Sequence, residues 1–337
     1  MVLTLNNAIV PVLEYGNKEI EKINHINIAY GVDINFLMPM GVSITSIVNH
    51  NKKTNFIFYV LTDNIAALPT DKIKLLGGEN VLLKIYDVDK ILSIKFGDVP
   101  VNMNITKSTW YRFLLADIVS KEDRVLYIDA DIICQGDISN IYALEMDHKI
   151  VAAIKDRGDV AAEQKHALQM QNEYFNAGVM LIDLFNWREF NTTQKSMEYL
   201  KNNFKLRFLD QDVLNKVLDG KINYISDVYN FFYWPEKAKK IKLPNNVVLI
   251  HFTAEKPWWI WVEHKAAPIF MKYKNLSPWE NDPLPLPNNY KQCKSMAKYC
   301  QKYKHTKSSI YWYMQYFLRK IKYKKQLICN KLMISSN

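Results

Sequence analysis

Apolar residues in the first half of the chain fall into short runs separated by polar intervals of helix length. Ile26, Ile28 and Tyr30 alternate with Asn27 and Ala29, a strand pattern that stops at Gly31-Val32-Asp33-Ile34-Asn35. Residues 55–62 (NFIFYVLT) and 81–88 (VLLKIYDV) are near-continuous apolar runs of strand length. Between them, 41–49 and 68–77 have helical character, the second closed by Gly77-Gly78. This β-α-β-α-β alternation predicts a parallel sheet flanked by helices. A further helix is expected over 106–120, with Thr106 and Ser108 as cap residues and Trp110, Phe113, Leu114, Asp117 and Ile118 at helical spacing. Arg112 falls off that stripe and faces either a ligand phosphate or solvent. The small-residue turn after the first strand lets backbone approach a ligand. Asp33 and Asn35 there either hydrogen-bond a base or ribose or only make turns.

The pattern changes at residues 125–138, VLYIDADIICQGDI. Val125, Leu126, Tyr127 and Ile128 form a buried strand that runs straight into Asp129-Ala130-Asp131, and the apolar Ile132-Ile133-Cys134 follows. An unpaired buried carboxylate costs several kcal/mol, so two of them here need a cation, backbone donors or protons. Side chains at i and i+2 of an extended segment point the same way, so both can reach one ion. A hard divalent cation, Mn2+ or Mg2+, is the natural occupant and would in turn hold a diphosphate. The competing reading of D-x-D is a loop or cap, but open α/β sheets bind ligands at the carboxyl ends of their strands.

Residues 151–154 form another short strand, ending in Lys155-Asp156, a second carboxylate at a strand end. The polar stretch 157–173 is expected to be mobile and to cover a site. Within 174–184, Asn176-Ala177-Gly178 then enters a strand, and Trp187-Arg188 opens a helical region. Residues 208–218 (FLDQDVLNKVL) place Asp210, Gln211 and Asp212 at a helix start, where carboxylates are favoured, so Asp210 is either a site residue or an N-cap. The apolar stretch 247–259 delivers His251, which is structural or a third ligand beside two carboxylates. Residues 1–25 read as a short extension with helical character over 18–24 and no motif.

With 337 residues, 49% of them hydrophobic, the chain can bury one large core or two smaller ones. No apolar run reaches the ~18 residues of a membrane span, and the first residues lack a basic region and a sustained apolar core, so a cytosolic protein is expected. Cys134, Cys293, Cys300 and Cys329 have no metal-binding spacing and are expected as free thiols. Charge is uneven. Residues 291–337 carry twelve Lys and Arg and no Asp or Glu; subtracting those twelve from the net +10 leaves −2 on the first 290 residues. Ile310, Tyr313, Met314, Phe317 and Ile321 recur at helical spacing beside Arg319, Lys320, Lys322, Lys324 and Lys325. Such a cationic, aromatic helix fits an anionic membrane surface, and no nucleic-acid motif accompanies it; the alternative is a solvated terminus.

Four blocks now stand in order: GVDINF, YIDADI, YFNAGVMLIDL with FLDQDVLN, and HFTAEKPW. Together, over about residues 26–335, they resemble the retaining glycosyltransferases of family 8, which have a GT-A fold and use a UDP-sugar with Mn2+. Within that family AYGVDINF with GVSI, RVLYIDADI, LDQDVLN, KPW and the later SPW are most similar to bacterial lipopolysaccharide core hexosyltransferases. The resemblance implies an α/β protein. Its single Rossmann-like nucleotide-sugar-binding domain with a mixed central sheet would span 26–282, after the 1–25 extension and before a basic helical region at 283–337.

Carried over residue by residue, it implies that Gly31, Val32, Asp33 and Asn35 hold uridine, with Arg112 near the nucleotide and donor. Asp129, Ala130 and Asp131 would form the cation motif, with Asp129, Asp131 and His251 binding Mn2+ or Mg2+. Asp156, Asn176, Ala177, Gly178, Asp210 and Gln211 would surround the hexose, and Lys256 would reach the diphosphate. Ala254 departs from the pattern, standing where glycine is usual in a loop one residue shorter than H-F-T-G-x-x-K-P-W. The implied reaction moves glucose or galactose, with retention, from UDP to the outer core of lipopolysaccharide at the inner face of the bacterial inner membrane. An amide oxygen is a weak nucleophile, so Gln211 with Asp210 and Asp156 is expected to orient hydroxyls in a front-face reaction rather than form a covalent adduct. A Mg2+-dependent phosphohydrolase of the haloacid-dehalogenase type, and a non-catalytic sugar- or membrane-binding module, are the alternatives.

Overall fold

In a computed structural model of the chain, which describes residues 9–96, 107–203, 206–233 and 243–334, the apolar runs become eleven strands. They are β1 (Leu13–Gly16), β2 (Ile26–Gly31), β3 (Phe56–Thr62), β4 (Val81–Asp87), β5 (Arg124–Ile128), β6 (Ile132–Cys134), β7 (Val151–Ala153), β8 (Val179–Asp183), β9 (Ile222–Tyr224), β10 (Phe231–Phe232) and β11 (Leu249–His251). Eight form one sheet in the order β1-β4-β3-β2-β5-β8-β7-β9. Strands β4, β3, β2 and β5 run parallel, β8 runs against β5 and β7, and β1 runs against β4, so the sheet is mixed. A smaller sheet orders β10-β11-β6, with His251 registered against Ile132.

Every residue of β3 is buried, because both faces of the sheet are covered. The two-residue period of the strand sends Ile57, Tyr59 and Leu61 into one core and Phe56, Phe58 and Val60 into the other. The first core is closed by residues 107–118, 184–202 and 209–217, and the second by the helix Leu37–His50. In the second core the Trp279 ring of the SPW motif lies against Gly41, where an added Cβ would fall 2.0 Å from a ring carbon.

The chain divides into two compact units. The first comprises Met1–Phe232, Lys242–His251 and Tyr273–Glu280, and holds both sheets. The second comprises Tyr233–Ile241, Phe252–Lys272 and Asn281–Asn337. In the second, the helices Tyr290–Lys302 and Thr306–Ile334 pack on each other through Cys293, Met296, Ala297, Cys300 and Trp312, with Trp261 in the same cluster. Cys134, Cys293 and Cys300 are free, as expected; the Cys329 side chain lies outside the described residues.

Several local expectations shift. The expected helix at 41–49 begins at Leu37, and 68–77 holds only the short turns Thr70–Ile73 and Lys74–Leu76. Of the expected 106–120 helix, Lys107–Leu114 is a 3-10 helix and Leu115–Ile118 an α-turn; Thr106 lies outside the described residues. The 157–173 stretch, expected only as a mobile polar cover, contains an α-helix, Asp159–Ala167, whose Gln164 is buried on Asp212. Asn176-Ala177-Gly178 does enter a strand, Val179–Asp183, whereas the strand expected over 247–259 is confined to Leu249–His251. Strand β1 went unpredicted, since its four residues form a strand only against β4, roughly seventy positions away.

Candidate active site

Topology explains why the candidate residues meet. Strand β2 pairs with β3 on one side and β5 on the other, so strand order reverses between β2 and β5, the place where open α/β sheets hold ligands. Asp33 follows the carboxyl end of β2, Asp129 that of β5, and Asp156 that of β7. Strand β8 runs the opposite way, so its entry residues Asn176, Ala177 and Gly178 come to the same edge. The β11–β6 pairing brings His251 beside Asp131.

At that edge Asp129, Asp131 and His251 offer ligand atoms all within 4.8 Å of one another. His251 Nε2 lies 3.3 Å from Asp131 Oδ1 and 4.0 Å from Asp129 Oδ2. Asp129 Oδ1 is already engaged: it accepts from Arg112 at 3.0 Å and from the Tyr127 hydroxyl at 2.9 Å. Oδ2 is therefore the oxygen turned to the imidazole. On the far side of the ring, Nδ1 bonds Asn230 Oδ1 at 2.9 Å. Two carboxylates and an imidazole make a donor set suited to Mn2+ or Mg2+.

Arg112 does not face solvent. It is buried, stacks on the Tyr127 ring at 4.5 Å, donates to the Ala177 carbonyl at 2.9 Å and pairs with Asp210 at 3.1 Å. Burial works against its charge, yet Asp210, Tyr127 and Asp129 outweigh this and raise its pKa. Burial pushes the Tyr127 phenol well above its usual range, which keeps it a donor to Asp129. Asp210 is no N-cap: it sits in the first turn of Leu209–Val217, after Leu209 at φ 39°. Burial pushes its carboxyl up to about 6, against the Arg112 guanidinium, which favours ionisation.

The neighbouring corner is built from amides. Gln211 Oε1 accepts from the Ala177 N–H at 3.0 Å and from Asn176 Nδ2 at 3.3 Å, while Gln211 Nε2 donates to Asp156 Oδ2 at 3.1 Å. Asn176 Nδ2 also reaches Asp156 Oδ2 at 3.3 Å. Asn215, one helical turn beyond Gln211, clamps Phe175 by accepting from its N–H at 2.7 Å and donating to its carbonyl at 2.9 Å. Asp212 accepts from Gln164, Tyr174 and the Phe208 N–H, fixing the start of the helix. Gly178 admits no side chain, because a Cβ would fall 2.3 Å from His251 Cε1.

Among the other candidates, Val32 and Ala130 are buried, and Val32 N–H bonds the Leu61 carbonyl at 2.9 Å. Asp33 caps its own turn through the Asn35 N–H at 2.8 Å, with Gly31 half-buried beside it. Lys256 belongs to the second unit, where it is buried and donates to the Phe252 carbonyl at 2.6 Å. Tyr127, Asn215 and Asn230 were not singled out by the sequence, though Tyr127 lies two positions before Asp129 on the same strand face and Asn215 lies four after Gln211.

A switch point carrying paired carboxylates and a histidine is the layout of a GT-A glycosyltransferase. The chain matches the family description "Glycosyl transferase family 8" over residues 27–261 and "Glycosyl transferase family 8 C-terminal" over 266–320. It is 31% identical over 326 residues to lipopolysaccharide 1,3-galactosyltransferase of Salmonella typhimurium, covering 92% of this chain and 95% of that one. It is 30% identical over 295 residues to lipopolysaccharide 1,2-glucosyltransferase of Escherichia coli K12, covering 83% and 85%. The solved galactosyltransferase LgtC, in complex with donor and acceptor sugar analogs, superposes with a TM-score of 0.63 at 22% identity, covering 75% of this chain and 96% of that one. The chain belongs to glycosyltransferase family 8 and is a hexosyltransferase. The phosphohydrolase and the non-catalytic module are thereby set aside.

Proposed function

We propose that the protein transfers glucose or galactose, with retention, from a UDP-sugar to the core oligosaccharide of lipopolysaccharide. The observation that carries the reading is the convergence of Asp129, Asp131 and His251 at the strand-order reversal, one strand from Asp33. A bound Mn2+ or Mg2+ would supply Lewis-acid neutralisation of the departing diphosphate. Asp129 Oδ2, Asp131 and His251 Nε2 would hold it. Gly31, Val32, Asp33 and Asn35 hold the nucleoside, and Lys256 serves the diphosphate. Residues 26–282 are the catalytic domain in this reading and 283–337 the acceptor-side region.

Gln211 orients rather than attacks: its oxygen already accepts two hydrogen bonds, which weakens an amide nucleophile further. Asp156 and Asp210 hold hydroxyls of the hexose, and Arg112 balances Asp129 and Asp210 so that the site's negative charge is tolerated before any cation arrives. The acceptor hydroxyl then approaches the same face of the sugar that the nucleotide leaves.

The lipid-anchored acceptor suggests a use for the last helix. Ile310, Met314, Phe317, Leu318 and Ile321 are all more than half exposed and follow helical spacing, while Tyr313 turns inward to the Trp312 cluster. With Arg319, Lys320, Lys322, Lys324 and Lys325 in the same segment, this stripe fits the surface of an anionic bilayer. Among the described residues no helix is long and apolar enough to cross a membrane.

The test is UDP release from UDP-glucose and UDP-galactose with purified truncated-core lipopolysaccharide, with and without Mn2+, followed by the anomeric configuration of the product. Acceptor-dependent release with one donor and an α-linked product is expected. Release that ignores the acceptor, or a β-linked product, contradicts the reading. Deleting residues 305–337 should abolish sedimentation with anionic vesicles, and unchanged sedimentation would remove the membrane role.

A further inference from the structure

One backbone N–H fixes a chain of buried hydrogen bonds across the site. The Gly178 N–H donates to Asn176 Oδ1 at 3.0 Å, so the oxygen of that amide must point there. Asn230 lies 2.9 Å from the same oxygen and must present its Nδ2. Its Oδ1 is then committed to His251 Nδ1, 2.9 Å away, and that nitrogen must carry the ring proton. His251 Nε2 is left to face Asp131 and Asp129, free of Asn230 and open to a cation. The other amide group of Asn176 reaches Asp156 and Gln211.

We propose that Asn230 is a positioning residue: it sets the tautomer of His251 for the cation and ties the cation corner to the sugar corner through Asn176. Its place suits the role, because it is fully buried where a 3-10 turn, Asp227–Tyr229, enters β10, the strand that pairs with β11 and so with His251. A carbonyl or carboxylate behind a ligating imidazole commonly sets its orientation and basicity. Here the group is an amide, which accepts from the histidine and donates onward at once. A sidewise link of this kind lets occupancy of one corner be felt in the other.

The inference rests on the cation reading above, and the experiment separates the two. The tautomer is read first, on the full chain without any cation, from the 15N shifts of ring-labelled histidine, with His251→Gln to assign the signal. A proton on His251 Nδ1 is expected; a ring protonated at Nε2 alone overturns the proposal whatever the metal does. Mn2+ binding is then followed by electron paramagnetic resonance. Asn230→Ala should weaken Mn2+ by roughly 10–100-fold. Asn230→Asp keeps the acceptor for Nδ1–H but cannot donate to Asn176, so Mn2+ affinity should stay within a few-fold of wild type while KM for the UDP-hexose rises. Equal Mn2+ affinity in Asn230→Ala and wild type, or equal loss in both variants, would overturn it. Absence of Mn2+ binding in wild type with the Nδ1–H tautomer intact would instead defeat the cation reading.

Discussion

The two corners of the site solve opposite problems. In the cation corner, Asp129, Asp131 and His251 bring two carboxylates and an imidazole together, with Arg112 and Tyr127 bonded to Asp129 and Asn230 to His251. In the sugar corner, Asp156, Asn176, Ala177 and Gln211 already satisfy one another through donor–acceptor pairs. In the proposed function the first corner takes a positive ion, while the second, with its pairs already made, is a scaffold that a hydroxyl would enter. The difference teaches that, if the proposed function holds, charge serves the leaving group while amides serve the sugar, so mutations in the two corners should fail differently.

The largest effect should come from Asp131→Ala, which removes a ligand from the cation corner. A fall in kcat/KM of about a thousandfold or more is expected, together with loss of Mn2+ binding. Retained Mn2+ affinity would break the comparison. Next, Gln211→Ala should lower kcat/KM by about 10–100-fold while leaving Mn2+ affinity near wild type, since it touches only the amide corner. Gly178→Ala attacks the seam, where the added carbon meets the His251 ring. A stability loss of about 1–3 kcal/mol by denaturant melts is expected, with weakened Mn2+ binding.

The smallest effect concerns pH. Burial pushes the Asp210 carboxyl up to about 6, above its ordinary 3.8. The fold therefore favours its protonated form, so its contribution to stability is fully present below 3.8 and is lost as pH rises to about 6. Asp210→Asn has no such titration. Its melting temperature relative to wild type should improve between pH 4 and pH 7 in cation-free buffer, and a difference flat across that range would show that Asp210 does not titrate there.

Much of this arrangement was legible in the chain because it is local. The D-x-D tripeptide lies at the end of an apolar strand run, and Asp210 and Gln211 lie at the head of a helical stripe. What escaped notice was produced by distant pairing. Asn230 has no periodic context and gains its place only from the two-residue strand β10. For Arg112 the pattern left a ligand phosphate or solvent open, because 106–120 reads as one helix; the 3-10 winding of 107–114 and the Tyr127 ring turn the guanidinium inward. The helix Asp159–Ala167 was hidden by a polar composition, and Gln164 earns its buried place through Asp212. The stripe on the last helix was visible, but only the packing against Tyr290–Lys302 showed that Tyr313 belongs to the inner side.

The central claim is that an ion held by Asp129, Asp131 and His251 makes the nucleotide leave. It is tested most directly by measuring sugar transfer to truncated-core lipopolysaccharide while free Mn2+ is buffered from nanomolar to millimolar with a chelator. The account predicts that transfer vanishes at the low end and saturates with the dissociation constant found by paramagnetic resonance, the midpoint moving upward in His251→Ala. Transfer at full rate in excess chelator would contradict it.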